Sequence, residues 1–315
     1  MAAPAWLDRP GRADFRSKSP QYLRLGRFRA TRFCVSFGAI AQGGHVGQKR
    51  DNGMKTVMDR RAALKGFASL GFCAICAKTG FAAQDSQPDS HGAAHWSYEG
   101  ATGPANWGDL DAADKVCAIG SQQSPIAIDG SIPAELPPLK LDWKRQADAI
   151  VNNGHTIQLN FDDGGALKVG PDSYKLVQFH FHHPSEHLID GKPAAMEIHF
   201  VHRNEAGKLA VIGVLVKPGK SNPAFAKIIT AAPASAGEPV KAPGADPRGL
   251  LPKARGYYYY SGSLTTPPCS ETVEWIVLKQ PIEVAEADIA AFAKLYPMNA
   301  RPVQQIDRRF VLRTL

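Results

Sequence analysis

Short runs in which apolar and polar residues alternate recur along the second half of the chain, separated by Gly, Pro, Asn and Asp. This period of two is typical of strands that bury one face. The pattern predicts strands at residues 149–152, 156–161, 166–168, 175–183, 195–202, 209–216, 257–261 and 273–279. Helical periodicity is confined to residues 221–231 and 285–295, and residues 233–252, rich in Pro and Gly, are predicted to form a long surface loop. We therefore expect a mostly β domain.

The charge of the chain is divided unevenly. Residues 1–83 carry 15 Lys and Arg against 4 Asp and Glu, which leaves 22 basic and 25 acidic residues in 84–315. The formal charge of +8 thus originates in the N-terminal segment. The remainder is mildly acidic and has no basic stripe, so we do not expect nucleic-acid binding. No apolar run reaches the ~18 residues that a membrane helix needs, so we expect no stable membrane anchor.

The N-terminal segment divides into three parts. Residues 1–53 are predicted to be unstructured or to lie upstream of the true start, and residues 54–83 to form an export signal. The signal combines an Arg60-Arg61 pair, an apolar stretch over 66–77 and a cleavage region near Ala82 and Ala83. The Arg pair resembles a twin-arginine signal, with the general secretory route as the alternative. Residues 84–93 then read as a linker to a domain over 94–315, which we expect in the periplasm or secreted.

Candidate chemistry begins in the predicted strand over 175–183. Strand side chains alternate between faces, so Gln178, His180 and His182 point to one side, and Phe179 and Phe181 to the other. Two histidines two residues apart on a strand lie about 6–7 Å apart at Cα, which is close enough to share one metal ion. The pattern therefore predicts a ligand pair.

A catalytic zinc site usually has three protein ligands and an open fourth position. Glu197 and His199 share one face of the next predicted strand, which makes His199 one candidate for the third ligand. Spacing alone leaves His183, His187 and His202 open as alternatives.

Ordered motifs across residues 93–315 narrow these choices, because together the chain resembles an α-class carbonic anhydrase. The resemblance implies a single mostly β (α+β) domain, with a large central twisted, mainly antiparallel sheet and a few short surface helices. The motifs, in chain order, are His95-Trp96-Ser97-Tyr98, Cys117-x-x-Gly120, Gln123-Ser124-Pro125-Ile126, Asn152-Asn153-Gly154-His155, Gln178-Phe179-His180-Phe181-His182, Ser185-Glu186-His187, Glu197-x-His199-x-Val201-His202, Gly262-Ser263-Leu264-Thr265-Thr266-Pro267-Pro268 and Asn299-x-Arg301-Pro302.

The resemblance implies reversible hydration of carbon dioxide to bicarbonate and a proton, with Zn²⁺ held by His180, His182 and His199. It also implies groups that orient these rings. Gln178 and Glu197 would hydrogen-bond His180 and His199, and the backbone carbonyl of Asn299 would serve His182.

Other matched residues surround the expected reaction. Thr265 matches a hydroxyl that accepts a hydrogen bond from zinc-bound hydroxide and donates one to a carboxylate, here Glu186. His155 matches a proton shuttle, a role suited to a histidine that titrates near neutrality. The matched apolar wall comprises Val201, Val211, Leu264, Val273 and Trp275, with Thr266 at its edge, and the residues expected to hold ordered water are Tyr98, Asn153 and Gln158.

Cys117 and Cys269 match a disulfide of exported family members. His183-Pro184 departs from animal members, which have Trp-Gly at this point. Two alternatives change the function: a non-catalytic binding module that keeps the fold but would lack one or more zinc histidines, and a zinc esterase or peptidase, which would usually show a His-Glu-x-x-His helix that is absent from the sequence. The resemblance leaves a homodimer open.

Overall fold

The computed structural model describes residues 95–144 and 146–315. The export signal at 54–83, the linker at 84–93 and residues 1–53 lie outside this part. Sixteen strands are present in the described residues: Ala127–Ile128 (β1), Ile132–Ala134 (β2), Lys140–Trp143 (β3), Ala149–Asn152 (β4), Ile157–Asn160 (β5), Gly165–Val169 (β6), Asp172–His182 (β7), Leu188–Ile189 (β8), Lys192–Pro193 (β9), Met196–Arg203 (β10), Leu209–Pro218 (β11), Val240–Lys241 (β12), Tyr257–Gly262 (β13), Val273–Leu278 (β14), Ile282–Val284 (β15) and Leu312–Thr314 (β16).

Helices are few and short. They are Trp107–Leu110 (α1), Val116–Ile119 (α2), Pro223–Ala231 (α3) and Glu286–Leu295 (α4), with 3₁₀ turns at Gly100–Thr102, Ala112–Asp114 and Pro247–Leu250. None of the helices in the described residues is long and apolar enough to cross a membrane.

One 13-stranded sheet organises the domain, in the order β12-β4-β5-β7-β10-β11-β14-β13-β16-β2, with β15, β3 and β6 attached beside this path. The β7–β10 and β10–β11 pairs at its centre are antiparallel, whereas β11 and β14 are parallel. A small separate sheet contains β1, β8 and β9. The mostly β, mainly antiparallel fold expected from the sequence is confirmed.

The alternation along β7 decides which residues enter the core. Phe179 and Phe181 are fully buried in the main hydrophobic cluster, where Phe200 from β10 and Phe292 from α4 also lie. Because successive side chains point to opposite faces, His180 and His182 stand on the other side of the sheet. The register places His199 of β10 directly opposite His180.

The predicted elements all have counterparts, with shifted ends and several omissions. β7 starts earlier than predicted, at Asp172, and ends at His182 rather than at residue 183. The predicted loop over 233–252 contains β12 and the Pro247–Leu250 turn, so it is not wholly irregular. The sequence pattern missed β1, β2, β3, β8, β9, β15 and β16. Most are two- or three-residue strands, which are too short to display a period.

Candidate metal centre

Three histidine side chains converge on one face of the sheet. One ring nitrogen each from His180, His182 and His199 lies within 4.8 Å of the other two. β7 supplies two of them and β10 the third, across the antiparallel register. This spacing allows three imidazole nitrogens to contact one ion.

A hydrogen bond on the far nitrogen fixes two of these rings. Gln178 Oε1 lies 2.8 Å from His180 Nδ1, and the carbonyl of Asn299 lies 2.7 Å from His182 Nδ1. Both rings therefore direct Nε2 toward the cluster. His182 Nε2 is buried and has no hydrogen-bond partner. A neutral imidazole nitrogen that accepts no hydrogen bond is available to bind a metal cation.

His199 is oriented the other way round. Glu197 Oε1 lies 3.1 Å from His199 Nε2, which leaves Nδ1 as the available ligand atom. Burial lowers the pKa of His199, lowers that of His182 to about 4 and lowers that of His180 well below its ordinary value. The rings are thus neutral near pH 7, which is the form that binds metal. The donor set therefore fits zinc with an open fourth position.

Two of the other candidate ligands, His187 and His183, have contacts elsewhere. His187 hydrogen-bonds Glu197 Oε1 through Nδ1 at 2.8 Å and Tyr260 Oη through Nε2 at 2.7 Å. A second grouping, of His187, Glu197 and His199, also has close ligand atoms, but both nitrogens of His187 are occupied. His183 Nδ1 lies against the Pro297 carbonyl at 2.9 Å. These contacts favour His180, His182 and His199.

The Glu197 carboxylate accepts several hydrogen bonds next to the histidine cluster. Its Oε2 accepts the backbone N–H groups of Glu186 and His187 at 3.0 and 2.9 Å. Burial alone would raise the pKa of this carboxyl, but His187 and His199 hold the pKa of Glu197 well below its ordinary value. A fixed negative charge here stabilises the orientation of His199.

Glu186 lies beside the cluster, next to the predicted Thr265 hydroxyl. Its Oε1 accepts the backbone N–H of Arg301 at 2.8 Å, and its buried Oε2 has no hydrogen-bond partner, 3.8 Å from His199 Nδ1. Burial raises the pKa of Glu186 to about 7, and His199, the Arg301 N–H and the Thr265 hydroxyl oppose that rise. Thr265 itself is buried.

The predicted apolar wall forms one continuous surface. Its five residues belong to a single hydrophobic cluster: Val201, Val211, Leu264, Val273 and Trp275. The Trp275 ring lies 4.8 Å from the ring of His199, so this surface borders the metal ligands. Thr266 lies in the following turn, where its carbonyl accepts the N–H of Cys269 at 2.9 Å.

His155 lies in an aromatic stack. Its ring centroid is 3.6 Å from that of Trp96 and 4.9 Å from that of His95, and both pairs are nearly parallel. Burial, and secondarily the charge of His95, lower the pKa of His155 to about 4. In this ring position the stack excludes the water that would solvate a charge, which holds the pKa of His155 below neutrality, and its role as a shuttle stays a prediction.

The three predicted water-holding residues have different surroundings. Gln158 is buried opposite His180 in the β5–β7 register, and its Nε2 donates to Asn160 Oδ1 at 2.7 Å. Burial, and secondarily the charge of Glu186, raise the pKa of Tyr98 well above its ordinary value. Asn153 Oδ1 instead accepts the N–H of His155 at 3.0 Å, so this oxygen serves the turn.

Cys117 and Cys269 form a disulfide, as the resemblance implied. Arg301, to which the sequence pattern assigns no role, stands beside it. Its guanidinium donates to the Cys117 and Ser124 carbonyls at 3.1 and 2.8 Å, while its backbone N–H holds Glu186. The Asn299-x-Arg301-Pro302 motif is the signal in the sequence that could have marked it.

A buried polar chain behind the ligands is also missing from the residues that the sequence predicts. It runs from Glu197 through His187 to Tyr260, whose hydroxyl donates to Ser124 Oγ at 3.0 Å. The run of four tyrosines marks this strand in the sequence, but only the structure separates the inward Tyr260 from its neighbours.

Comparisons with known proteins agree with this geometry. Residues 102–314 match a family model described as eukaryotic-type carbonic anhydrase. A carbonic anhydrase of Nostoc sp. is 37% identical over 271 residues, covering 83% of this chain and 100% of the relative. One of Pectobacterium carotovorum is 41% identical over 221 residues, covering 69% of this chain and 90% of the relative. The solved structure of the α-carbonic anhydrase of Thermovibrio ammonificans, in complex with the inhibitor sulfanilamide, has 43% identity and a TM-score of 0.68, covering 70% of this chain and 99% of that chain.

Proposed function

The chain belongs to the eukaryotic-type, or α, carbonic anhydrase family, whose members are enzymes of carbon dioxide hydration, and from this premise we propose that it works with a zinc ion held by His180, His182 and His199. The observation that carries the proposal is the convergence of three neutral imidazoles: Nδ1 is hydrogen-bonded in His180 and His182, and Nε2 of His199 lies 3.1 Å from Glu197 Oε1. When bound, zinc would supply the activation of a water molecule, whose pKa falls to about 7 in carbonic anhydrases as a class.

Thr265 and Glu186 would orient the nucleophile. As a carboxylate Glu186 can only accept, so the Thr265 hydroxyl would donate to it, and the Thr265 oxygen is left to accept a hydrogen bond from the cleft. The pKa of Glu186, about 7, lies close to the working range. A dication nearby favours the charged form of a carboxyl and would lower this pKa.

The apolar wall supplies the substrate site. Carbon dioxide is neutral and linear, so it needs a dry surface beside the nucleophile rather than charged contacts. Val201, Val211, Leu264, Val273 and Trp275 offer that surface next to His199. Thr266 stands at the edge of this proposed site.

His155 would remove the proton that each turnover releases. In the stack its pKa of about 4 keeps it neutral, able to accept a proton but too weak a base to hold one near pH 7. We therefore propose that the ring relays protons after turning out of the stack, where better solvation returns its pKa toward the ordinary value. Tyr98, Asn153 and Gln158 would hold the water between His155 and the metal centre.

An exported location completes the proposal. A disulfide between Cys117 and Cys269 persists in oxidising compartments and is rare in the cytosol. Together with the signal-like sequence at 54–83, it supports the periplasm or the outside of the cell as the place of action.

The test uses the full chain, with zinc measured by elemental analysis and carbon dioxide hydration by stopped flow. We expect about one zinc per chain and activity that disappears on chelation and returns when zinc is added. His199→Ala should have neither bound zinc nor activity. His202→Asn is the matched control, because it changes the other buried histidine of the same strand, and it should retain zinc. Activity that survives complete zinc removal would overturn the proposal.

The relay is tested separately. His155→Ala should lower kcat by about 10-fold or more while leaving kcat/KM nearly unchanged, and imidazole buffer should restore the rate. A rate that imidazole does not restore would count against the relay but not against the zinc site.

A further inference from the structure

The side chain of Asn299 connects the turn that carries His155 with β7, the strand of His180 and His182. It is completely buried. Its Nδ2 donates to the His155 carbonyl and to the Phe181 carbonyl, at 2.9 Å in each case. Its Oδ1 accepts the backbone N–H of His183 at 2.7 Å, and its own carbonyl lies 2.7 Å from His182 Nδ1.

Only a primary amide satisfies all the side-chain contacts at this position. Nδ2 has two N–H donors and uses one on each carbonyl, while Oδ1 accepts from His183. A carboxylate would keep the acceptor and lose both donors, and an apolar side chain would lose all three bonds. In a fully buried site each loss leaves a polar group unpaired, which is costly.

The rest of this turn is held from within, from its start and, just after His155, by Thr156 Oγ1, which donates to the Phe181 carbonyl at 2.6 Å. Asn153 Oδ1 accepts the N–H groups of His155 and Thr156, and moves with them. Asn152 is fixed to the Pro233 carbonyl, but Gly154, at φ 86°, separates it from His155. Glycine is the residue that most readily changes such a backbone angle. The bond from Asn299 therefore ties the His155 backbone to the strand of the metal ligands after this flexible point.

We propose that the Asn299 side-chain amide is a positioning residue for the proton relay, because it fixes the backbone of His155 relative to His182. The inference rests on the relay proposed for His155. Loss of the donor frees the turn and should slow proton release, while the ligands, held by the Asn299 backbone carbonyl and by Gln178, stay in place.

Asn299→Asp is nearly isosteric and removes both N–H donors but adds a negative charge, an effect that Asn299→Ser, which lacks both the donors and the charge, separates. We expect kcat in weak buffer to fall about 3- to 10-fold, less than the ~10²-fold that a 1 Å misplacement can cost. The value of kcat/KM should stay within about threefold, zinc content should be unchanged, and imidazole should restore kcat. Hydrogen exchange of the His155 amide, measured by NMR, should be faster, which gives a readout independent of activity.

Thr156→Val is the matched control. Thr156 Oγ1 donates to the Phe181 carbonyl at 2.6 Å and accepts the Phe181 N–H at 3.2 Å, so this variant breaks two buried bonds between the same two segments without touching the His155 carbonyl. Its kcat in weak buffer should match wild type. An equal fall in kcat would show that general loosening, not the Asn299 contact, limits the relay, and would overturn the inference.

A double-variant cycle separates this inference from the relay itself. In a His155→Ala background, Asn299→Asp should cause no further loss of kcat, and a full additional loss would overturn the positioning role. If His155→Ala alone leaves kcat unchanged, both proposals fail. If Asn299→Asp does not fold, the same results are expected of Asn299→Ser, which also lacks the amide donor. Loss of zinc from either variant in its folded state would overturn the inference.

Discussion

His202 shows how differently two histidines on one strand can be used. Its Nδ1 lies 3.1 Å from the Ala210 carbonyl, and its ring packs 5.3 Å from that of Trp143 on the core side of the sheet. Burial lowers the pKa of His202 to about 4, although its contacts with the backbone carbonyls oppose this shift. The residue is a neutral core side chain, so it affects stability rather than catalysis.

This burial makes stability depend on pH. In the unfolded chain His202 binds a proton below about pH 6.5, whereas in the folded chain its pKa is about 4. The unfolded state therefore binds more protons between these values, and stability is lost as pH falls from about 6.5 to about 4. The full difference corresponds to about 3 kcal/mol.

His202→Asn tests this prediction, because the amide can still donate to Ala210 without titrating. We expect the variant to be less stable at pH 7 but to lose about 3 kcal/mol less than wild type between pH 6.5 and 4. Urea unfolding of the zinc-free proteins measures both values. Parallel losses in the two proteins would contradict the pKa assigned to His202.

The stack around His155 leads to a second prediction at the residue scale. Because burial and then the charge of His95 lower the pKa of His155, replacing His95 removes part of both effects. His95→Ala should therefore raise the pKa of His155, as followed by NMR titration of its ring protons. His95→Phe is the matched comparison, since it keeps the stacked ring without the charge and should raise this pKa less. An unchanged pKa in both variants would show that His95 does not act on His155.

At the scale of elements, β7 carries the candidate metal centre on one face and packs into the core with the other. Phe179, directly before His180, is fully buried and packs its ring against Phe161, Phe181 and Phe200. The position of both histidine ligands thus depends on how well this aromatic layer is packed.

Phe179→Ala should destabilise the protein by about 3–5 kcal/mol, because it removes a buried ring and leaves a cavity. Ser173→Ala, at an exposed position of the same strand, should change stability by less than about 0.5 kcal/mol. Denaturant unfolding compares the two, and zinc affinity measured in parallel should fall in Phe179→Ala alone. A small loss of stability there would mean that the layer repacks.

The sequence predicts β7 well because the alternation of apolar and polar residues extends over enough positions to be recognised. Alternation over β7 by itself separates His180 and His182 from Phe179 and Phe181. The third ligand does not follow in this way, because the pairing of β10 with β7 is a tertiary feature that no local period encodes. For the same reason the stack of His155 on Trp96 does not follow from the local pattern, since 59 residue positions separate the two rings.

At the scale of the whole molecule, the segment that contains α1 and α2 is joined to the loop of Thr265 by several contacts. The disulfide links Cys117, in α2, to Cys269 across 152 positions of sequence. Gln123 Nε2 adds a hydrogen bond to the Cys269 carbonyl at 3.1 Å. The Arg301 guanidinium contacts the Cys117 carbonyl from a third segment, so chain regions far apart in sequence meet beside the proposed catalytic loop.

Removing the disulfide should therefore lower the free energy of unfolding without releasing zinc. A cross-link that closes so long a loop restricts the unfolded chain, and its loss typically costs about 2–5 kcal/mol. We expect this loss in a Cys117→Ser, Cys269→Ser double variant, measured by urea unfolding of the zinc-free proteins. Zinc content should remain near one per chain, because the ligands lie on β7 and β10, which the disulfide does not join. Reduction of the wild-type protein should reproduce the loss and leave the double variant unaffected. If the variant instead lost zinc at unchanged stability, the bond would be acting on the metal centre rather than on the fold.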